Sequence, residues 1–307
     1  MTQQDGLRFT SEWILRGRAY RLVSTTIVPE LQREISSGCS RGAIDKVLQD
    51  EYMPTWVFEA PAWAKSILVL GTPKALTRLR FRFRGQFRDV AVPPTYLGYQ
   101  KTTREIEKEL NTLLRPYGAR AETVKLPLKL LAAKSGLVRY GRNNITYRPG
   151  SGSFVQLDAC YTDLPPTCEP GKAEMLEECG KCRACLRLCP TGVINEEDFQ
   201  IHASRCLTFM NESDKDIPAW VSSGSHHCLI GCMKCQESCP GNRVVMKNVV
   251  QGGTFSEEET EAMLNGTSYD QLPPHAVEVI SSLSMTADYA LLARNLRLVF
   301  GVVRPVL

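Results

Sequence analysis

The sequence predicts an α+β chain in three parts: a mixed α/β domain over residues 1–168, a cysteine-rich module over 169–246 and a helical segment over 247–307. Three observations carry this expectation. Strand-like stretches alternate with helical periodicity in the first half. Seven cysteines stand in two dense runs in the second half. Beyond them a cap signal opens a stretch whose apolar spacing is again helical.

Taken in order, residues 11–60 read as helices punctuated by Pro29, Pro54 and Pro61. Ser66-Ile-Leu-Val-Leu-Gly71 is a short apolar run closed by Gly-Thr-Pro, the pattern of a buried strand. Arg78-Leu-Arg-Phe-Arg-Phe-Arg84 alternates strictly, so a strand here has one cationic face and one apolar face of Leu79, Phe81 and Phe83. Gly85-Gln86 reads as a turn into a second strand, Phe87–Val92. Ile106, Leu110, Leu113 and Leu114 mark a helix over 102–114, and a further helix is expected around 126–135. Residues 136–153 form a loop rich in glycine and arginine, and Glu174–Glu178 is an acidic lead-in to the cysteines. Ser256 and Glu259 form a capping box, and residues 286–300 suit a closing helix that Gly301 can end.

The bulk numbers narrow the class. With 307 residues, 43% hydrophobic and 23% charged, the chain is composed like a soluble globular protein. No apolar run reaches the length of a membrane span. Met1-Thr-Gln-Gln-Asp5 lacks a signal-peptide pattern. Twelve cysteines in such a chain point to metal or redox chemistry in a reducing cytoplasm. Residues 1–150 hold 25 Lys and Arg against 13 Asp and Glu, whereas 151–307 hold 12 against 20. A basic half beside an acidic half suggests different partners, a phosphate-bearing one among them. The arginines of 78–84 suit phosphates, or equally a solvated edge strand whose charges deter aggregation. Neither a G-x-G-x-x-G turn nor a P-loop is present.

The cysteine spacing is the sharpest signal. Cys179-Gly-Lys-Cys182-Arg-Ala-Cys185-Leu-Arg-Leu-Cys189-Pro190 is the C-x2-C-x2-C-x3-C-P run of bacterial-type ferredoxins. Cys232-Met-Lys-Cys235-Gln-Glu-Ser-Cys239-Pro240 supplies a second half. In such runs the cysteine before proline ligates the other cluster. Cys179, Cys182, Cys185 and Cys239 are therefore expected on one [4Fe–4S] cluster, and Cys189, Cys232 and Cys235 on a second. Zinc sites pair two C-x2-C hooks and do not need a triple hook. The eighth ligand is Cys206 or Cys228. Cys39, Cys160 and Cys168 read as small hydrophobes, and His226 and His227 as loop histidines near a cluster. Residues 1–178 precede the first of these cysteines, more chain than a pure electron carrier needs.

The order of these pieces resembles the epoxyqueuosine reductases and, more distantly, the reductive dehalogenases. Leu126-Pro-Leu-Lys-Leu-Leu-Ala-Ala-Lys-Ser-Gly136-Leu-Val-Arg-Tyr-Gly141-Arg-Asn143 is similar to the helix and loop before their clusters. Tyr161-Thr-Asp163-Leu-Pro165 resembles the strand end that follows, and both cysteine runs, Arg205-Cys206 and Gly231-Cys232 match as well. The resemblance implies an α/β domain holding a corrinoid (cobalamin) that one cluster reduces. The substrate it implies is a modified tRNA base whose epoxide loses its oxygen, with electrons from an external ferredoxin or flavodoxin. It favours Cys206 as the eighth ligand. It places the corrinoid near Gly136, Arg139, Tyr140, Gly141, Arg142 and Asn143, where glycines permit close approach and arginines can hold amide or phosphate groups. It puts Glu122 where the family has a proton-donating Asp; a buried Glu with a raised pKa can do that work. Some features depart from the pattern. The family's Asp-Tyr-His stretch is absent near Lys101-Thr102-Thr103, no histidine precedes His202, and Arg139-Tyr140 stands near the usual loop Trp. The alternatives are an accessory electron-transfer protein and a reductase of another small molecule, dehalogenase-like in chemistry.

Overall fold

The structure, a computed structural model, describes residues 17–302. Its strands are β1 (Ala19–Ser24), β2 (Ser66–Pro73), β3 (Leu76–Phe83), β4 (Gln86–Val92), β5 (Ala121–Thr123), β6 (Arg139–Tyr140), β7 (Thr146–Tyr147), β8 (Val155–Thr162) and β9 (Val249–Phe255). Its helices are α1 (Ile27–Ser40), α2 (Tyr99–Leu114), α3 (Leu128–Lys134), α4 (Ala184–Leu188), α5 (Leu207–Glu212), α6 (Lys234–Glu237), α7 (Glu257–Asn265), α8 (Pro274–Ser282) and α9 (Tyr289–Phe300), with short 3-10 turns between. Among the described residues they gather into two compact units: residues 17–74, 99–183 and 196–202, and residues 75–98, 184–195 and 203–302. These units cut across the expected boundaries at 168 and 246.

The first unit is a four-stranded sheet of order β1-β2-β8-β5, antiparallel throughout. All eight residues of β8 are buried, because helices cover both faces. Leu157, Ala159 and Tyr161 join Ile67 and Val69 against α1 and α3. Cys160 faces the other way, with Leu68 and Leu70, against Ile106, Leu110 and Leu114 of α2. A strand, β1, stands where residues 19–24 were expected to be helical. It pairs residue for residue with β2, Ala19 opposite Gly71 and Ser24 opposite Ser66. Burial of Val23 against that neighbour outweighs local propensity, which is weak for so short a stretch. Residues 11–16 of that expected helical stretch lie outside the described residues.

The second unit carries the hairpin. β3 and β4 pair antiparallel through a turn at Arg84 (φ 50°) and Gly85 (φ 73°). β9 adds to the other edge of β3 in parallel. The inner face behaves as the alternation required: Leu79 and Phe81 are fully buried with Val90, Val92 and Phe255 against α7, α8 and α9. Phe81 and Phe255 stack with centroids 4.6 Å apart. Ser256 caps α7 through a complete capping box with Glu259. No single helix among the described residues is long and apolar enough to cross a membrane.

Phe81→Ala should cost about 3–5 kcal/mol, the range for emptying a packed aromatic site. Urea unfolding followed by circular dichroism measures it.

Candidate cluster and cofactor site

Of the expected cluster cysteines, Cys179 and Cys182 belong to the first unit and the others to the second. Within the second unit Cys189, Cys206 and Cys232 are electrostatic neighbours, although 17 and 26 residues separate them along the chain. Cys206 stands at the N-cap of α5. Cys228 is fully buried beside Cys232 and the Met233 backbone N–H. Burial above all, with neighbouring Cys206 and Cys189 acting the same way, pushes the Cys232 thiol up to about 12. Burial likewise raises Cys206. Such thiols lose their protons only when a metal replaces them, so cluster assembly should release protons. Among the described residues no three His, Cys, Asp or Glu side chains converge on a single metal ion. A cubane needs no such convergence, since each thiolate binds a different corner.

The remaining cysteines pack as small apolar groups. Cys160 lies in the core between β8 and α2. Cys39 contacts Met53 Sδ at 3.6 Å, and Cys168 donates to Leu22 O at 3.4 Å.

The glycine and arginine loop is more tightly wired than its composition suggests. Residues 139–147 form a small hairpin of β6 and β7. A side chain at Gly141 would meet the Tyr147 ring at 2.5 Å and Asn143 Oδ1 at 2.6 Å, so only glycine fits. Asn143 is buried and donates to Tyr147 OH at 2.9 Å. Tyr140 is buried edge-on to Phe199, and burial holds its hydroxyl above the ordinary value. Arg139 points to the acidic lead-in, with Glu174 at 3.1 Å and Glu177 at 3.4 Å. Arg142 serves the first cysteine hook. Its backbone N–H points at Cys179 Sγ at 3.4 Å, and its Nη2 donates to Cys179 O at 2.7 Å. Gly136 ends α3 with φ 74°. The loop thus fits a corrinoid only in part. Arg139 and Asn143 are engaged, whereas Arg142 Nε is buried with no hydrogen-bond partner among the described residues, a donor suited to an amide oxygen.

Glu122 lies on β5, the edge strand of its sheet, opposite Tyr161, and is exposed. It therefore lacks the burial that the proton-donor expectation needs. The strand is too short and too marginal to cover it.

Sequence reasoning missed Asp158. It is 1% exposed on β8, where its Oδ1 accepts from Thr103 Oγ1 at 2.6 Å and from Gln156 Nε2 at 3.3 Å. Burial raises its carboxyl pKa, against the opposing pull of those two hydrogen bonds and of Lys74 and Arg18. Its Oδ2, with Gln156 Oε1 and Thr72 Oγ1, is buried without a partner among the described residues. Gln156 and Asp158, polar at alternate positions of a mostly apolar strand, were the available signal.

Residues 178–242 match the model of a 4Fe-4S double cluster binding domain. The chain is 29% identical over 147 residues to epoxyqueuosine reductase of Pseudomonas aeruginosa, covering 47% of this chain and 40% of that protein. It is 32% identical over 156 residues to the Escherichia coli epoxyqueuosine reductase, covering 47% and 39%. The match therefore spans about two fifths of these relatives' length. The fold superposes on epoxyqueuosine reductase from Streptococcus thermophilus with a TM-score of 0.67 at 16% identity, over 97% of this chain and 81% of that one. An epoxyqueuosine reductase crystallised with a tRNA-Tyr epoxyqueuosine-modified stem loop gives the same score at 19% identity and the same coverage. The chain is epoxyqueuosine reductase-like in fold, and in sequence across the matched half, and it carries a binding domain for two [4Fe–4S] clusters.

Anaerobically reconstituted protein should hold about eight irons and eight sulfides. Cys206→Ser should lower both towards about four, while Cys228→Ser should leave them unchanged; chemical iron and sulfide analysis decides between the two cysteines.

Asp158 supplies a second expectation. A carboxyl with a raised folded pKa stabilises the fold most below the ordinary carboxylate range, and that contribution is lost as pH rises through the folded value. Thermal melts of Asp158→Asn should therefore lack part of the parent's loss of stability between acidic and neutral pH.

Proposed function

We propose that this chain is an iron–sulfur reductase of the epoxyqueuosine reductase type, acting on tRNA with electrons from a low-potential ferredoxin or flavodoxin. The observation that carries the reading is the combination of a double-cluster domain with that fold over nearly the whole chain. One cluster uses Cys179, Cys182, Cys185 and Cys239. The other uses Cys189, Cys206, Cys232 and Cys235. A bound corrinoid would supply low-valent cobalt, the species that delivers electrons to a C–O bond. Arg142 is the residue of this chain suited to hold it, by its unpaired Nε, whereas the space beside Gly141 is taken by Tyr147 and Asn143.

The open face of the β4-β3-β9 sheet supports a nucleic acid partner. Phe87 is 60% exposed there, opposite Arg82. The guanidinium groups of Arg80 and Arg82 lie 5.9 and 6.0 Å from its ring centroid. Alternating Arg alone reads as a solvated strand; an exposed aromatic among them adds a stacking platform for a base. Arg80 is held tightly by Asp89 at 2.7 Å and Arg82 more loosely by Glu257 at 3.6 Å, so Arg82 is the more available phosphate contact.

A second reading, an accessory electron-transfer protein, draws on two observations. Glu122 is exposed, and Arg139 and Asn143 of the loop already have partners.

Protein with both clusters, given cobalamin and reduced flavodoxin, should remove the oxygen from an epoxyqueuosine stem loop. Arg82→Glu and Phe87→Ala should weaken stem-loop binding, and the charge reversal should flatten its salt dependence. Clusters that accept electrons while no turnover occurs and cobalamin stays free would select the electron-transfer reading.

A further inference from the structure

Cys232 sits between two peptide planes that are each held by a side chain, one from α5 and one from earlier in its own loop. On one side, Asn211 Nδ2 donates to Gly231 O at 2.7 Å. On the other, the Met233 N–H donates to His227 Nε2 at 3.1 Å. Because a trans peptide is planar, fixing one carbonyl and one N–H fixes both planes that flank the thiol.

The two clamping side chains are themselves held. Asn211 is fully buried at the end of α5, with its Oδ1 3.1 Å from His226 Nδ1. Its backbone carbonyl accepts from Asn295 Nδ2 of α9 at 2.8 Å, and the same amide nitrogen reaches Leu229 O at 3.0 Å. Asn295 is also fully buried, and its Oδ1 accepts from Arg294 Nη2 at 3.0 Å. His227 Nδ1 lies 3.0 Å from Ser225 O. A carbonyl can only accept and a backbone N–H can only donate, so the imidazole must carry its proton on Nδ1 and accept at Nε2. Beneath the loop, Gly231 has φ 63° and a side chain there would come 2.8 Å from Tyr96 OH. No other residue fits before Cys232. The helix that starts at Cys206 ends beside Asn211, so one short element joins two of the thiolates assigned to the second cluster.

We infer that Asn211 and His227 are positioning residues that set the reduction potential of the second cluster by fixing the peptide planes around Cys232. The inference rests on the two-cluster reading of this chain. Backbone N–H groups that turn towards cluster sulfurs stabilise the more anionic reduced form, and carbonyls that turn towards it do the opposite. Met233 N–H is turned to an imidazole, with the Cys228 thiol also beside it. At the first hook the Arg142 N–H is turned to a ligand sulfur instead. The two hooks therefore offer their clusters different hydrogen-bond environments.

The test is an EPR-monitored redox titration of anaerobic protein, with dithionite as the one-electron source, on the parent, Asn211→Leu, His227→Leu and His227→Gln. Iron analysis comes first; fewer than about eight irons in the parent would refute the two-cluster reading itself. In Asn211→Leu and His227→Leu, the midpoint and line shape of one cluster should move while those of the other hold. His227→Gln keeps an acceptor for Met233 N–H and should return towards the parent. Selective loss of one cluster's iron in either Leu variant also supports the clamp. Parent midpoints and line shapes in folded, eight-iron Leu variants would overturn it. So would equal shifts of both clusters, or a Gln variant that behaves as the Leu one does. If Asn211→Leu fails to fold, the two His227 variants decide alone.

Discussion

A parallel strand pair governs how this chain is laid out. β3 and β9 lie side by side in the same direction, and such strands cannot be joined by a tight turn. The chain must travel a long way between Phe83 and Val249. It uses that path to build the β8 side of the other sheet and to thread both cysteine runs. The two compact units are interleaved in sequence for this reason, and a division by chain order fails at the β3–β4 hairpin. Stacking of Phe81 on Phe255 joins the ends of that path from the inside.

Burial sets the energetic terms of the cysteine site. Cys206 and Cys232 are held where a free thiolate is disfavoured. Bonds from iron to these thiolates would have to exceed that cost, which would make metal binding part of folding. Polar groups buried nearby follow the opposite rule, since each must find a partner. Asn211, Asn295 and Arg294 satisfy the carbonyls of Met210, Leu229 and Gly231 in one connected set. The helices after the last cysteine thereby share a unit with the loop that carries Cys232, although they read as a separate closing segment in sequence.

The first unit shows the same rule at its margin. Asp158, Gln156 and Thr72 face α2 from two buried strands, and each keeps an oxygen without a partner among the described residues. The carboxyl that burial raises is that of Asp158, while Glu122 stands exposed on the edge strand β5. Residue type and spacing pointed to a carboxylate on a strand. Only the order of strands says which carboxylate is covered.

The sequence alone determined the chemistry of the ligands and the character of each local element. Cluster spacing is a property of consecutive residues, and so are the alternation of Arg78–Arg84, the turn expected at Gly85-Gln86, which falls at Arg84-Gly85 with Gln86 already in β4, and the capping box at Ser256, which the structure forms in full. The helix expected at 102–114, which runs Tyr99–Leu114, and the buried strand expected at 66–71, which runs Ser66–Pro73, were legible for the same reason, since their periodicity is local. What the tertiary structure decided depends on which distant segments meet. β1 is a strand because β2 lies beside it. Phe87 belongs to a basic face because antiparallel register sets it opposite Arg82, a relation that no periodicity along one strand contains. Arg139 is drawn to Glu174 and Glu177, and Arg142 to Cys179, through contacts 35 to 38 residues apart. Cys206 lies near Cys189 and Cys232 for the same physical reason: burial and hydrogen bonding act through space, whereas sequence patterns record only neighbours along the chain.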